Sequence, residues 1–365
     1  MDQTEKALVA DALEKKAISG FFGEYITKFE EGFAAYSGCA YGVAVTSGTT
    51  ALHLALLALR VGPGDEVLVA TTTNMATFFA VAYQNAKAVP VDIEEDTFNL
   101  DPALLEAKIT SRTKAIIVVH LFGHPVDMDP VLAVADKHGL FVVEDCAEAH
   151  GATYKGRKVG GLGHIGCFSF YANKIITTGE GGMLTTNDPA LAESARSLRS
   201  LAFGKANKFM HSDIGYNYRM TNLQAAIGCA QLTKIEEIIA RKIKLAEFYA
   251  AKLASEDSLQ LPVTKPYAKN VYWMYHINLR GKAASRREEI LKKLLEKGVE
   301  TREGFIPYNL QEIFIKDKLT YPGECPRAAR AATTSFYLPS GPLLTVPDME
   351  YVTDSLKAVL KDLRG

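Results

Sequence analysis

Apolar residues along the chain switch repeatedly between two spacings. Short continuous runs at 66–70, 88–93, 115–121 and 140–143 have the length and β-branched content of strands buried on both faces. Between them, apolar residues recur every three or four positions near 76–84, from Pro102 and from Pro130, and this period predicts helices. The pattern starts earlier, where 41–59 reads as strand, turn and helix. It continues through strand-like 166–170 and 182–186 to a helix over 189–201. Such alternation predicts an α/β fold with a mostly parallel sheet covered by helices.

Helical spacing also marks 5–17 and 25–36, separated by the break Ile18-Ser-Gly-Phe-Phe-Gly23. A polar, basic stretch at 203–211 reads as a surface loop. The donor-rich segment 213–222 leads into one long helical pattern, 223–253, expected to link two domains. We expect a large domain over 1–240 and a smaller α+β domain over 241–365, the latter with a strand at 271–279, a basic amphipathic helix at 285–297 and a closing helix at 349–363.

At 365 residues and 48% hydrophobic content the chain can bury a substantial core. A net charge of −1 without long basic runs argues against nucleic acid as a partner. Five cysteines without metal-ligand spacing read as free thiols and suit a reducing compartment. The polar start Met1-Asp-Gln-Thr-Glu-Lys6 is unlike a signal peptide, and no run reaches the roughly 18 apolar residues of a membrane span. The expected location is the cytoplasm, with no metal and no membrane partner.

Three stretches carry candidate chemistry. In Cys167-Phe-Ser-Phe-Tyr-Ala-Asn-Lys174, an apolar run delivers a lysine to the turn Thr177-Thr-Gly-Glu-Gly-Gly182. A lysine so placed can lose its proton on burial and act as a nucleophile, although a surface lysine beside a glycine turn has the same local sequence. Asp145 follows the run 141–143, and an acid at the carboxyl end of a parallel strand faces the ligand crevice. It would equally cap the next helix. Ser47-Gly-Thr-Thr50 opens a strongly apolar helix, where free N–H groups and the dipole favour an anion such as a phosphate, or where Ser47 is an ordinary N-cap. Pyridoxal phosphate (PLP) needs such a lysine for its aldehyde and such a carboxylate for its ring nitrogen.

With these stretches and Ile214-Gly-Tyr-Asn-Tyr-Arg-Met-Thr-Asn222 in hand, the chain resembles the DegT/DnrJ family of sugar aminotransferases from about Ile18 to the C-terminal helix. The resemblance implies a three-layer PLP-dependent transferase fold of type I. It implies that Lys174 bonds the cofactor and shuttles the proton, and that Asp145 partners the ring nitrogen. Glu148 would lie near the phenolic oxygen, and Gly48, Thr49 and Ser169 would cradle the phosphate. Asn217 would reach the phosphate from the other subunit, so the implied active unit is a homodimer with composite active sites. Lysine at 174 favours transamination, because related keto-sugar dehydratases carry histidine there.

Val119-His-Leu-Phe-Gly-His-Pro-Val-Asp-Met128 and Glu144-Asp-Cys-Ala-Glu-Ala149 are most similar to family members that move an amino group from L-glutamate to a GDP-linked 4-keto-6-deoxy sugar for cell-surface polysaccharide. His120, His211, Tyr216, His276 and Arg302 could each meet substrate or be a satisfied structural residue, and His211 and Arg302 are taken as the candidate substrate residues. Three positions depart from the family pattern. Asn74 replaces a ring stacked on the cofactor, His164 replaces an acid, and Arg302-Glu-Gly-Phe-Ile-Pro-Tyr308 differs near the sugar site. The alternatives are an aminotransferase acting on an 8-oxo octulosonate, a PLP-dependent sugar dehydratase, and a silent regulator.

Overall fold

The computed structural model describes residues 1–204, 207–211, 213–321 and 323–363. Seven strands, Tyr41–Val45 (β1), Glu66–Ala70 (β2), Lys87–Val91 (β3), Thr113–Val119 (β4), Phe141–Asp145 (β5), Ile165–Ser169 (β6) and Gly182–Thr186 (β7), form one sheet in the order β1-β7-β6-β5-β4-β2-β3. The pairs β2/β3, β2/β4, β4/β5 and β5/β6 are parallel. β7 runs against both β6 and β1. The expected mostly parallel sheet is therefore present, with one reversed strand.

Alternate residues of each strand enter two separate cores, which is why the runs are apolar throughout. Val67, Val69, Ile117 and Val143 pack with Leu52, Phe78 and Ala195 of helices Gly48–Ala58 (α3), Met75–Tyr83 (α4) and Pro189–Arg199 (α6). Leu68, Ile116, Val118 and Val142 pack with Phe29, Met128, Ala225 and Ile239. These belong to Glu24–Ser37 (α2), Met128–His138 (α5), Asn222–Leu232 (α7) and Ile235–Leu253 (α8). Helices on both faces of a parallel sheet make the three layers.

After α8, strands Leu259–Gln260 (β8), Tyr275–Leu279 (β9), Arg302–Glu303 (β10) and Ser335–Leu338 (β11) make an antiparallel sheet in the order β8-β9-β11-β10. A third core forms around it from Tyr249, Tyr275, Phe336 and Leu356.

Several local expectations change. The helix expected from Pro102 is two 3-10 turns, Pro102–Leu104 and Glu106–Lys108, because Leu105 alone is fully buried there and no apolar stripe spans successive turns. The single helix expected over 223–253 is split between α7 and α8. Lys234, at the break, turns its ammonium to Asp2 (2.8 Å) and Glu5 (2.6 Å) beside the first helix, Gln3–Glu14. The strand expected from 271 begins at Tyr275. Lys205 and Ala206 of the expected loop 203–211 lie outside the described residues. All five cysteines are free thiols. Among the described residues, no helix is long and apolar enough to cross a membrane.

Candidate active site

The carboxyl ends of β1, β2, β4, β5 and β6 open on one side of the sheet, where ligands of such folds bind. After β1, Ser47 is extended and its hydroxyl accepts from the Thr50 N–H at 3.1 Å, while the Thr50 hydroxyl accepts from the Ser47 N–H at 3.0 Å. Ser47 is thus a true N-cap, and the cap leaves Gly48 and Thr49 as the first-turn N–H groups without an intrahelical partner. Their surroundings admit no bulk. A Cβ at Gly48 would lie 2.7 Å from Ser169 Cβ, and one at Gly182 would lie 2.3 Å from the Ser47 carbonyl oxygen. The start of α3, the end of β6 and the start of β7 therefore meet in close contact, and the free N–H groups at the helix start suit an anion.

Asp145 ends β5, buried, with Oδ2 accepting from the Thr77 hydroxyl at 2.7 Å and Oδ1 from the Ala147 N–H at 3.1 Å. Burial raises its carboxyl above the usual range, although these donors and Lys174 favour the charged form. Glu148 is also buried and accepts from the Phe122 N–H at 2.8 Å. Phe122 holds φ at +55°, a left-handed conformation rare for an aromatic residue, and so aims its N–H at that carboxylate.

Burial pushes the Glu148 carboxyl up to about 7, against opposing contributions from Lys174 and Phe122. Between its unfolded value and about 7, the folded chain keeps a proton that the unfolded chain has released, so this group's support for folding is lost as pH rises through that window. Glu148→Gln keeps an acceptor for Phe122 without titrating. In urea unfolding of the cofactor-free chain, we expect the variant to gain on the order of 3 kcal/mol relative to wild type between about pH 4.5 and about pH 7. A pH-independent difference would refute the assignment.

Lys174 sits in the loop between β6 and β7. Phe170 N–H donates to the Gly181 carbonyl at 2.8 Å, Thr178 N–H to the Phe170 carbonyl at 2.9 Å, and Lys174 N–H to the Tyr171 carbonyl at 3.0 Å. Gly179 and Gly181 take φ of +83° and +158°, which the turn requires. Lys174 is half-buried, with Nζ 3.9 Å from the centre of the Trp273 ring. Burial lowers its pKa, while Glu148 and Asp145 oppose that shift.

One cavity of about 580 Å³ is lined by Gly48, Thr49, Asp145, Glu148, Ser169 and Lys174. Sequence reasoning thus named six residues that the fold brings together from three stretches of chain. Arg302 also lines it, with its side chain largely exposed and paired to Glu300 at 2.7 Å. Asn217 and His211 are not on its wall within one chain; both are exposed, and His211 Nδ1 lies 3.0 Å from the Leu201 carbonyl.

His120 is a buried structural residue. It lies 3.0 Å from Glu144, which itself accepts from the N–H groups of Gly160, Leu162 and Gly163. His276 stacks on Phe122 at 4.2 Å, and Tyr216 stacks on Tyr218 at 5.1 Å. His164 accepts from Val142 N–H at 3.0 Å. Asn74 caps α4 by accepting from Ala76 N–H at 3.0 Å, which accounts for an amide where a ring was expected. The rings on the cavity wall come from Tyr171, Trp273, Phe305 and Tyr337 instead.

Of the residues missed in the sequence, Thr77 follows its strand at a spacing no local rule marks. Tyr337 arrives from the distant C-terminal sheet, whereas Phe305 belongs to the segment 302–308 that departs from the family pattern. Trp273 had one signal, as the chain's single tryptophan.

Pyridoxal phosphate fits this donor set. The main-chain cradle suits a phosphate, the buried carboxylate suits a protonated ring nitrogen, and the lysine of lowered pKa suits an aldehyde. The fold and this site define a fold type I aminotransferase. The chain belongs to the DegT/DnrJ/EryC1/StrS aminotransferase family, whose model matches residues 1–357. It is 43% identical to the GDP-perosamine synthase of Caulobacter vibrioides, over 99% of this chain and 96% of that protein. It is 39% identical to the dTDP-3-amino-3,4,6-trideoxy-alpha-D-glucose transaminase of Streptomyces venezuelae, over 92% and 87%. The solved aminotransferase from Psychrobacter cryohalolentis superposes with a TM-score of 0.94 at 32% identity, covering 100% of this chain and 98% of that one.

Proposed function

We propose that this chain transfers an amino group from L-glutamate to a GDP-linked 4-keto-6-deoxy sugar for cell-surface polysaccharide, using pyridoxal phosphate. The observation that carries the reading is the meeting of Lys174, Asp145 and the start of α3 in one cavity. The bound cofactor supplies an electron sink next to the carbon that gains or loses the amine. The chain's residues do the rest. Gly48, Thr49 and Ser169 bind the phosphate, Asp145 holds a proton at the ring nitrogen, and Lys174 moves a proton between the two carbon centres. One cavity serving donor and acceptor in turn makes the exchange ping-pong. The similarity to the GDP-perosamine synthase supports the choice of sugar.

The active unit in this reading is a homodimer in which Asn217 completes the phosphate site of the partner. Its support is the exposure of Asn217 and, in the same part of the sequence, of the large apolar residues Phe209, Met210 and Ile214, which are 78%, 68% and 83% exposed. We also read a domain boundary near residue 240, supported by the separate core around the C-terminal sheet, and a cytoplasmic enzyme, supported by the free thiols.

The test is an absorbance spectrum of the purified chain with pyridoxal phosphate, before and after L-glutamate, followed by a screen of GDP-linked, dTDP-linked and octulosonate keto-sugars. A visible band that glutamate moves into the near ultraviolet, and that a GDP-linked keto-sugar restores, is expected from a particle of two chains in sedimentation. No band with added cofactor would sink the cofactor reading. Restoration only by another sugar would move the substrate.

A further inference from the structure

The lysine of an aminotransferase must be held somewhere whenever it is not bonded to carbon. Free and swinging, a four-carbon side chain would have to be found again at each step, at a cost in rotamer entropy. In this chain the amine has a definite resting place. Nζ of Lys174 lies over the face of Trp273, 3.9 Å from the ring centre, where the ring quadrupole attracts an ammonium.

The ring is itself fixed from two directions. Its Nε1–H donates to the Asn173 carbonyl at 2.9 Å, so the indole is tied to the residue immediately before the lysine. Its own carbonyl accepts from Nζ of Lys242 at 2.8 Å, and the same ammonium donates to the Ser340 carbonyl. Lys242 is buried on α8 and both of these acceptors are neutral backbone groups, an expensive use of a lysine unless the anchored segment matters. Burial lowers its pKa to about 7. Trp273 stands between the cavity described above and a second one of about 770 Å³ that also reaches Lys174.

We propose that the face of Trp273 is the seat of the Lys174 amine whenever that amine is not covalently engaged, and that Trp273 and Lys242 are positioning residues for amino transfer. The inference rests on the cofactor reading, since it concerns how Lys174 waits between its covalent and free states. Asp145 and Glu148 also attract this ammonium and line the same cavity, so the seat keeps the amine near the reacting centre.

Because Trp273 is the chain's single tryptophan, its fluorescence reports on the surroundings of this one ring, the Lys174 amine among them. In the cofactor-free chain, Lys174→Met is expected to change the intensity or maximum of the emission relative to wild type, and identical spectra would overturn the proposal. Adding pyridoxal phosphate tests the cofactor separately. Quenching of Trp273 in both proteins upholds the cofactor reading, and its absence in both rejects that reading whatever the first comparison gave.

For the reaction itself, Trp273→Phe keeps an aromatic face and should stay within about threefold of wild-type kcat, whereas Trp273→Leu should fall roughly tenfold with KM for the amino donor unchanged. Wild-type kcat in the leucine variant would also overturn the proposal. Should that variant fail to fold, Lys242→Met, which frees the Trp273 carbonyl and leaves the ring, is expected to shift the emission and lower kcat. An unchanged spectrum and kcat in that variant would refute the role of Lys242.

Discussion

Lys174→Ala is expected to lose about 10⁴-fold or more in amino transfer while the chain keeps its fold. In the proposed function the lysine acts twice, as the group that carries the cofactor and as the acid and base that moves the proton, so one substitution would remove both contributions. Its structural role is small by comparison. The loop is closed by main-chain bonds of Phe170, Lys174 and Thr178 that do not use the amine, and alanine keeps them all. Turnover with L-glutamate and the urea midpoint together decide the matter. Retained steady-state turnover would sink the mechanism, and lost turnover with a collapsed midpoint would make Lys174 a structural residue.

Asp145→Asn is expected to cost on the order of 10³-fold in turnover, the scale of removing one preorganised electrostatic group from a water-poor site. Asparagine has nearly the same volume, its Oδ1 can still accept from the Ala147 N–H, and its Nδ2–H can donate to the Thr77 hydroxyl oxygen, so the local geometry survives. The charge does not. Because burial already raises the Asp145 carboxyl, removing the ionisable group should leave stability unchanged or slightly improved in thermal unfolding of the cofactor-free chain. A variant within threefold of wild-type turnover would show that the ring nitrogen has no need of this acid.

The large sheet was legible because its strands are buried on both faces, so each appears as a short apolar run, and the helices between them keep a distinct period. The core of the site was legible for a related reason. Asp145 and Ser169 are strand ends, Gly48 and Thr49 open a helix, and the topology of a parallel sheet sends all such ends to one side.

What stayed hidden depends on contacts between distant segments. Thr77 becomes a partner of Asp145 across 68 positions, and Trp273 becomes a partner of Asn173 across 100. No period or local motif encodes either pairing. The same holds for the break between α7 and α8, where Lys234 is drawn to acids at the far N-terminus. Asn74 shows the opposite case. Its role as an N-cap is local, and Asn at the start of an apolar helix is a standard cap signal.

The tight approach of Gly48 to Ser169 and of Gly182 to Ser47 has a consequence for how ligand affinity is achieved. The N–H groups at the start of α3 are held by close contact between chain segments, so in the proposed function an incoming phosphate would meet dipoles already aimed at it. Recognition of this kind is pre-organised, and little conformational freedom is surrendered on binding. In that reading it would also be carried by main-chain groups that do not titrate, so the protein's side of the grip on the phosphate should be less sensitive to pH than Glu148 and Lys174 are.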